Sequence, residues 1–328
     1  MRFIDNQGNN DPAWNLALEE YILRNLTGDE DFLLFYMNEP SIIIGKNQNT
    51  AEEVNTSYVE EHGIHIVRRL SGGGAVYHDL GNLNFSFITK DDGKSFHNFR
   101  KFTEPVVAAL RGLGVDAELS GRNDLQVGER KISGNAQFAT KGRMFSHGTL
   151  LFNSEVDSIV SALKPNPAKF ESKATKSVRS RVANIAEFLQ EPMTMEQFRS
   201  FLLESIFGGK DIPAYPLSEA DLAAVDQLAE ERYRSWDWNY GRSPAFNVRQ
   251  VKRLAAGTFD VRLDVKDGII AEASVFGDFF GTGEVSDVTA RLAGVRYNAA
   301  DVAAALADVD LTVYFGPVDR EEWLALLF

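Results

Sequence analysis

At 328 residues, with 44% hydrophobic and 25% charged side chains, the chain is composed like a folded globular protein large enough for a main domain and a smaller one, which sets aside disordered and fibrous classes. Its 34 Lys and Arg against 47 Asp and Glu leave a net charge of -13, which repels phosphate backbones and argues against a nucleic-acid partner while leaving room for a local basic pocket. The absence of cysteine excludes disulfides, thiolate metal sites and a cysteine nucleophile, and with no apolar leader or run of roughly 20 apolar residues the expectation is a cytoplasmic protein without a membrane partner.

Asp11 before Pro12 is a favourable helix start, and Trp14, Leu16, Ala17 and Tyr21 recur at helical spacing, which predicts a helix from Pro12 to Leu26. Two apolar runs follow, Phe32 to Met37 and Ser41 to Gly45; the turn formers Asn38, Glu39 and Pro40 between them predict a hairpin. "TAEEVNTSYVEEHG" reads as one helix closed by Gly63, and "IHIVRRL" as a strand running into Gly72, Gly73 and Gly74. Beyond the glycines, "LNFSFIT" alternates Leu83, Phe85 and Phe87 with polar Asn84 and Ser86, the pattern of a strand with one buried face.

"FRKFTEPVVAALRGLG" predicts a helix, and the glycine-broken segment from Val115 to Phe152 predicts short antiparallel hairpins. Helices are then expected over Glu155 to Leu163, Thr194 to Phe207 and Ser218 to Tyr233. The turn-rich stretch from Asn239 to Pro244 is a candidate hinge, and a second domain is expected to begin near Phe246, with a hairpin turning at Lys266, Asp267 and Gly268 and two helices after it. The resulting class is mixed α/β (α+β), a largely antiparallel sheet flanked by helices, divided into residues 1–245 and a small α+β unit of residues 246–328.

The glycine triplet can present consecutive backbone N–H groups to an anion, because glycine tolerates positive φ and has no Cβ to hold a ligand away. Neither familiar phosphate signature fits: GxxxxGK[ST] is missing, and a strand-like segment follows where a dinucleotide fold needs a helix. A bulge within a sheet is the competing explanation. The neighbours favour a site, since Arg68 and Arg69 precede the loop and His78 and Asp79 follow it. Adjacent strand residues face opposite sides, so one of the two arginines is expected to face a ligand. Lys131 in "GERKISGN" and His147 in "SHGTLLF" read, on position alone, as a solvated lysine and a structural histidine.

Three stretches change that reading when taken together. "RRLSGGGAVYHDLGN" (Arg68 to Asn82), "GRNDLQVGERKISGNAQ" (Gly121 to Gln137) and "HGTLL" (His147 to Leu151), in that order and spacing, resemble the lipoate-protein ligase family. Shorter similar pieces are "DPAWNLALEE", "SVRSRVANI" and "WDWNYGRSPAF", so the resemblance covers nearly the whole chain.

The resemblance implies a catalytic domain related to biotin protein ligases and class II aminoacyl-tRNA synthetases, followed by a small accessory domain. It implies that lipoate and ATP form lipoyl-adenylate and pyrophosphate, and that the lipoyl group then passes to a lysine of a lipoyl domain, such as those of 2-oxoacid dehydrogenases or the glycine-cleavage H protein. It carries over Arg69, Gly72, Gly73, Gly74, Ala75, Val76, Tyr77 and Lys131 as ATP or adenylate contacts, with Asn82 as a further pocket residue. Arg69, Lys131 and His147 are implied to meet lipoate, with Lys131 central to catalysis. Magnesium is expected with ATP, with Asp124 a candidate protein ligand. Acyl transferases of the same fold use a cysteine thioester, and this chain has no cysteine; the "GRGRRG" loop of biotin ligases is replaced by "SGGGAVYHD". A non-catalytic module that binds lipoyl domains or nucleotide is the alternative from another class, and it would not need Lys131.

Overall fold

Asp11 sets the first helix: its side chain accepts from the Ala13 N–H, and Pro12 follows in the first turn, so α1 runs Pro12–Asn25 between β1 (Arg2–Asp5) and β2 (Phe32–Tyr36). This computed structural model describes residues 1–328 except 27, 55, 157, 159–161, 164–180, 241–247, 267 and 298. Part of the helix expected over Glu155 to Leu163 and most of the hinge expected over Asn239 to Pro244 therefore fall outside the described residues.

The hairpin expected from Phe32 to Gly45 does not form. β2 pairs with β1 in one sheet, whereas β3 (Ser41–Ile44) belongs to another, between β4 (His65–Arg68) and β5 (Val76–His78). The connecting residues are held from outside the strands: Glu39 N–H donates to Asn10 O, and Asn38 is held by Asn15 and His78. The turn signal was real, but it marks a change of sheet. The segment between β3 and β4 forms two short helices, α2 (Thr50–Glu53) and α3 (Thr56–Glu61), where one was expected.

β6 (Asn82–Lys90) lies between β2 and β10 in a seven-stranded sheet of order β1-β2-β6-β10-β9-β8-β7, which is antiparallel except for the β1–β2 pair. The remaining strands are β7 (Ala117–Ser120), β8 (Asp124–Val127), β9 (Arg130–Thr140) and β10 (Arg143–Leu151). One face of β6, through Leu83, Phe85 and Phe87, packs with Phe102 and Val106 of α4 (Phe99–Gly112) and with Phe198 and Leu202 of α5 (Met195–Phe207). The other face turns toward α1 and buries Asn84 and Ser86 too, so β6 is covered on both sides and not on one as the alternation suggested. These polar residues are a cue to the site.

α6 (Glu219–Leu228) packs with α1 and continues as a single π turn, Ala229–Tyr233, before α7 (Trp236–Asn239). The C-terminal region builds its own core on a three-stranded antiparallel sheet: β11 (Val248–Leu254), which was not anticipated, β12 (Gly257–Lys266) and β13 (Ile269–Gly277). The two helices expected after the hairpin are α8 (Val285–Leu292) and α9 (Ala299–Ala305), and two short ones follow them, α10 (Leu311–Phe315) and α11 (Arg320–Ala325). Among the described residues no helix is long and apolar enough to cross a membrane.

Candidate active site

The glycine loop joins β4 to β5, the two strands that flank β3, and so crosses the end of that sheet. Gly73 has φ +91°, a conformation that side-chain-bearing residues rarely adopt. A Cβ on Gly45, at the end of β3, would lie 1.9 Å from the Gly73 carbonyl oxygen. The two glycines let the loop and β3 touch backbone to backbone.

Both arginines are buried. Arg68 donates to the carbonyls of Gly45, Lys46 and Gln48, to Trp238 and Asn239 carbonyls, and to the Thr50 hydroxyl, a purely structural clasp. Arg69 donates from Nε to Ser71 Oγ, from Nη1 to Ile43 O, and from Nη2 to Gly72 O and Gly74 O at 2.6 and 2.8 Å. Burial pulls its guanidinium pKa down to about 10, still charged near neutrality. Of the two arginines, Arg69 lines the cavity beside the loop and Arg68 does not.

That cavity is also lined by Gly73, Gly74, Ala75, Val76, Lys131 and His147, so residues distant in sequence converge on it. Its wall includes apolar Leu16, Tyr36 and Ile43 and polar Asn84, Asn123 and Asn135. Four other sequence candidates are not in its lining. Gly72 lies against the backbone of Phe279, and Tyr77, between inward-facing Val76 and His78, packs with Ile42, Ile44 and Val59 on the opposite side of β5. Asn82 is buried and donates to Asn84 Oδ1. Asp124 contacts the site through Lys131, whose Nζ lies 2.8 Å from its Oδ1.

Lys131 owes its direction to an irregularity in β9. Leu125 pairs with Ser133 and Gln126 with Lys131, so Ile132 is an extra residue in the ladder. In a regular strand Lys131 and Gly134 would point to opposite faces; the bulge brings them together, and the space left by the absent Gly134 side chain holds the lysine stem. His147, on β10, hydrogen-bonds through Nε2 to Ser71 Oγ at 2.7 Å and through Nδ1 to Glu19 at 2.9 and 3.0 Å. Glu19, His147, Ser71 and Arg69 thus tie α1 to the glycine loop. Glu19 and Ser71 were not singled out in the sequence, although a carboxylate on the buried stripe of α1, between Leu16 and Leu23, was the available signal.

Phe280, from the C-terminal region, also lines the cavity and lies under Arg122, whose guanidinium carbon is 4.5 Å from the ring centroid. Arg122 Nη1 donates to Ala256 O, and Lys46 pairs with Glu284 at 3.0 Å. No cluster of three or more acidic or imidazole ligands exists among the described residues. Asp124, the candidate metal ligand, is paired to Lys131.

Residues 11–207 match the family model for the lipoyl protein ligase A/B catalytic domain, and residues 243–327 the bacterial lipoate protein ligase C-terminus. The chain belongs to the lipoate-protein ligase family. It is 60% identical to the lipoate-protein ligase LplJ of Bacillus subtilis (strain 168), with 100% of both chains covered. Among solved structures of the family, a bipartite lipoate protein ligase from Thermoplasma acidophilum, described with its E2 lipoyl domain, is 35% identical with a TM-score of 0.65, covering 75% of this chain and 98% of that one. A lipoate-protein ligase A bound with ATP is 32% identical with a TM-score of 0.63, covering 73% of this chain and 98% of that one.

Proposed function

We propose that the chain activates lipoate with ATP to lipoyl-AMP and transfers the lipoyl group to the ε-amine of a lysine on a lipoyl domain. The observation that carries this reading is the meeting of Lys131 with the glycine loop at one cavity whose wall is partly apolar. A substrate with an apolar tail and a carboxylate that must meet a phosphate needs that combination.

In the first step a lipoate carboxylate oxygen attacks the α-phosphorus, the bond to the bridging β-phosphate oxygen breaks, and pyrophosphate leaves. Two anions approach each other, so the barrier is lowered by fixed positive charge and by oriented N–H groups. Lys131 supplies the charge between carboxyl and phosphate, and the Gly73 to Val76 backbone supplies close approach. In the second step the acceptor amine attacks the acyl carbon, AMP departs with the C–O electron pair, and the amine nitrogen loses its proton. Lys131 stabilises the developing charge in both steps. Gly72, Tyr77 and Asn82 act by shaping this loop and its support, and His147 borders the acyl end. Magnesium, when bound, would neutralise charge on the ATP phosphates, with Asp124 the candidate protein ligand.

Residues 1–245 form the catalytic unit in this reading and residues 246–328 an accessory unit, and the reaction takes place in the cytoplasm. The acceptors are lipoyl domains of 2-oxoacid dehydrogenases and the glycine-cleavage H protein. Purified protein incubated with ATP, magnesium, an unmodified lipoyl domain and either lipoate or biotin tests the assignment by mass spectrometry. A mass gain matching lipoate alone is expected; modification by biotin, or none, contradicts it.

A further inference from the structure

A chain of three asparagines decides which nitrogen of His78 carries its proton. Asn6 Nδ2 lies 2.7 Å from Asn9 O, and a carbonyl can only accept, so this atom is the amide nitrogen; it also donates to Asn15 Oδ1 at 2.9 Å. Asn15 Nδ2 in turn donates to the carbonyls of Asn9 and Met37 and to Asn38 Oδ1 at 3.0 Å. Asn38 therefore offers its NH2 group to His78 Nδ1 at 2.9 Å. Nδ1 must accept. A neutral imidazole that accepts at Nδ1 has its proton at Nε2.

The ring is also held neutral. A proton on Nδ1 would face the Asn38 N–H, and burial, with the nearby positive charge of Arg69 and the His147 ring, pulls the pKa of His78 down to about 3. His78 is 3% exposed, and its Nε2 is buried without a hydrogen-bond partner among the described residues, yet the residue lines the cavity. Buried donors are rarely left unpaired, and a donor kept so at a cavity wall is arranged for something that enters.

Its place indicates what enters. Val76 and His78 project from the same face of β5, and two residues along a strand span roughly 7 Å, so His78 lies that far beyond the glycine loop along the cavity wall. We propose that His78 is a specificity-determining residue whose Nε2–H donates to an acceptor atom of the acyl substrate. The proposal rests on the reading of the cavity as a lipoate site. A carboxyl oxygen and a dithiolane sulfur are the acceptors lipoate offers, and octanoate carries only the first.

Calorimetric binding of lipoate, octanoate and ATP to wild type, His78→Leu and His78→Gln tests it, since a glutamine amide nitrogen can stand in for Nε2. Lipoate affinity is expected to fall about tenfold in H78L, to stay within about threefold in H78Q, and ATP affinity to hold in both. An equal loss for octanoate assigns the acceptor to the carboxyl group; a loss confined to lipoate assigns it to sulfur. Unchanged lipoate affinity in H78L, or an equal loss for ATP, overturns the proposal. A wild type that binds ATP but not lipoate overturns the functional reading, and this proposal with it. Nitrogen-15 NMR of the wild-type histidines covers variants that fail to fold: His78 should show the Nε2-protonated tautomer and shift on adding lipoate, and the Nδ1 tautomer or an unmoved signal refutes it.

Discussion

Lys131 and Asp124 form an ion pair, Nζ to Oδ1 2.8 Å, with side chains 38% and 40% exposed, so the cation assigned to adenylate formation is already partnered before any anion arrives. Such a half-exposed pair stabilises the fold by about 0–1 kcal/mol, which makes its exchange for a phosphate easy. Lys131→Ala is expected to lower pyrophosphate release from ATP and lipoate by at least about a hundredfold while the melting temperature holds. Asp124→Asn should cost no more than about tenfold if magnesium is held mainly by phosphates. A loss as large as that of K131A, recovered by raised magnesium, would instead make Asp124 a metal ligand.

The contact between Gly45 and Gly73 gives a prediction that proximity in sequence would not. Gly45→Ala puts a methyl group 1.9 Å from Gly73 O, an overlap that only movement of the glycine loop can relieve. Gly73→Ala faces positive φ and the Phe280 ring at 2.8 Å. Both variants should bind ATP at least about tenfold more weakly, at a stability cost of about 1–3 kcal/mol. Wild-type ATP affinity in G45A, measured by calorimetry, would mean that the loop is not the nucleotide contact.

Acid should destabilise the protein partly through His78. Its ordinary pKa of 6.5 applies to the unfolded chain and about 3 to the folded one, so above pH 6.5 neither state takes the proton. Between pH 6.5 and 3 the unfolded chain binds a proton that the folded chain refuses, and stability falls as pH falls, by about 1.4 kcal/mol per unit from this residue. Urea unfolding of wild type and H78Q from pH 8 to 4 should give curves that are parallel above pH 6.5 and converge or cross below it. Curves that stay parallel to pH 4 would show that His78 is not buried in its neutral form.

What the sequence revealed depended on the range of the interaction. α1 was legible because Asp11, Pro12 and the apolar spacing act within a few residues. The segment from Phe32 to Gly45 misled because Asn38-Glu39-Pro40 signals a turn without saying which strands flank it, and β3 finds its partners at His65 to Arg68 and Val76 to His78. Asn84 and Ser86 of β6 looked solvent-facing because they are polar, yet both are buried and Asn84 lines the cavity. Lys131 was recognisable only through its motif, since the bulge at Ile132 that aims it follows from pairing with β8. Glu19 and Ser71 join His147 across 128 and 76 residues, separations at which local patterns are silent.

The grip of Arg69 on the glycine loop turns that loop inside out. Each trans peptide points its N–H opposite to its carbonyl, so by drawing in the oxygens of Gly72 and Gly74 the guanidinium drives the amides of Gly73 and Ala75 away from itself. A buried cation thereby lends its charge by proxy: it polarises and orients the peptide dipoles of the loop, so it need not itself touch an anion bound there. A lysine there would keep the charge but could not reproduce the planar fork that holds Ser71, Ile43, Gly72 and Gly74 at once.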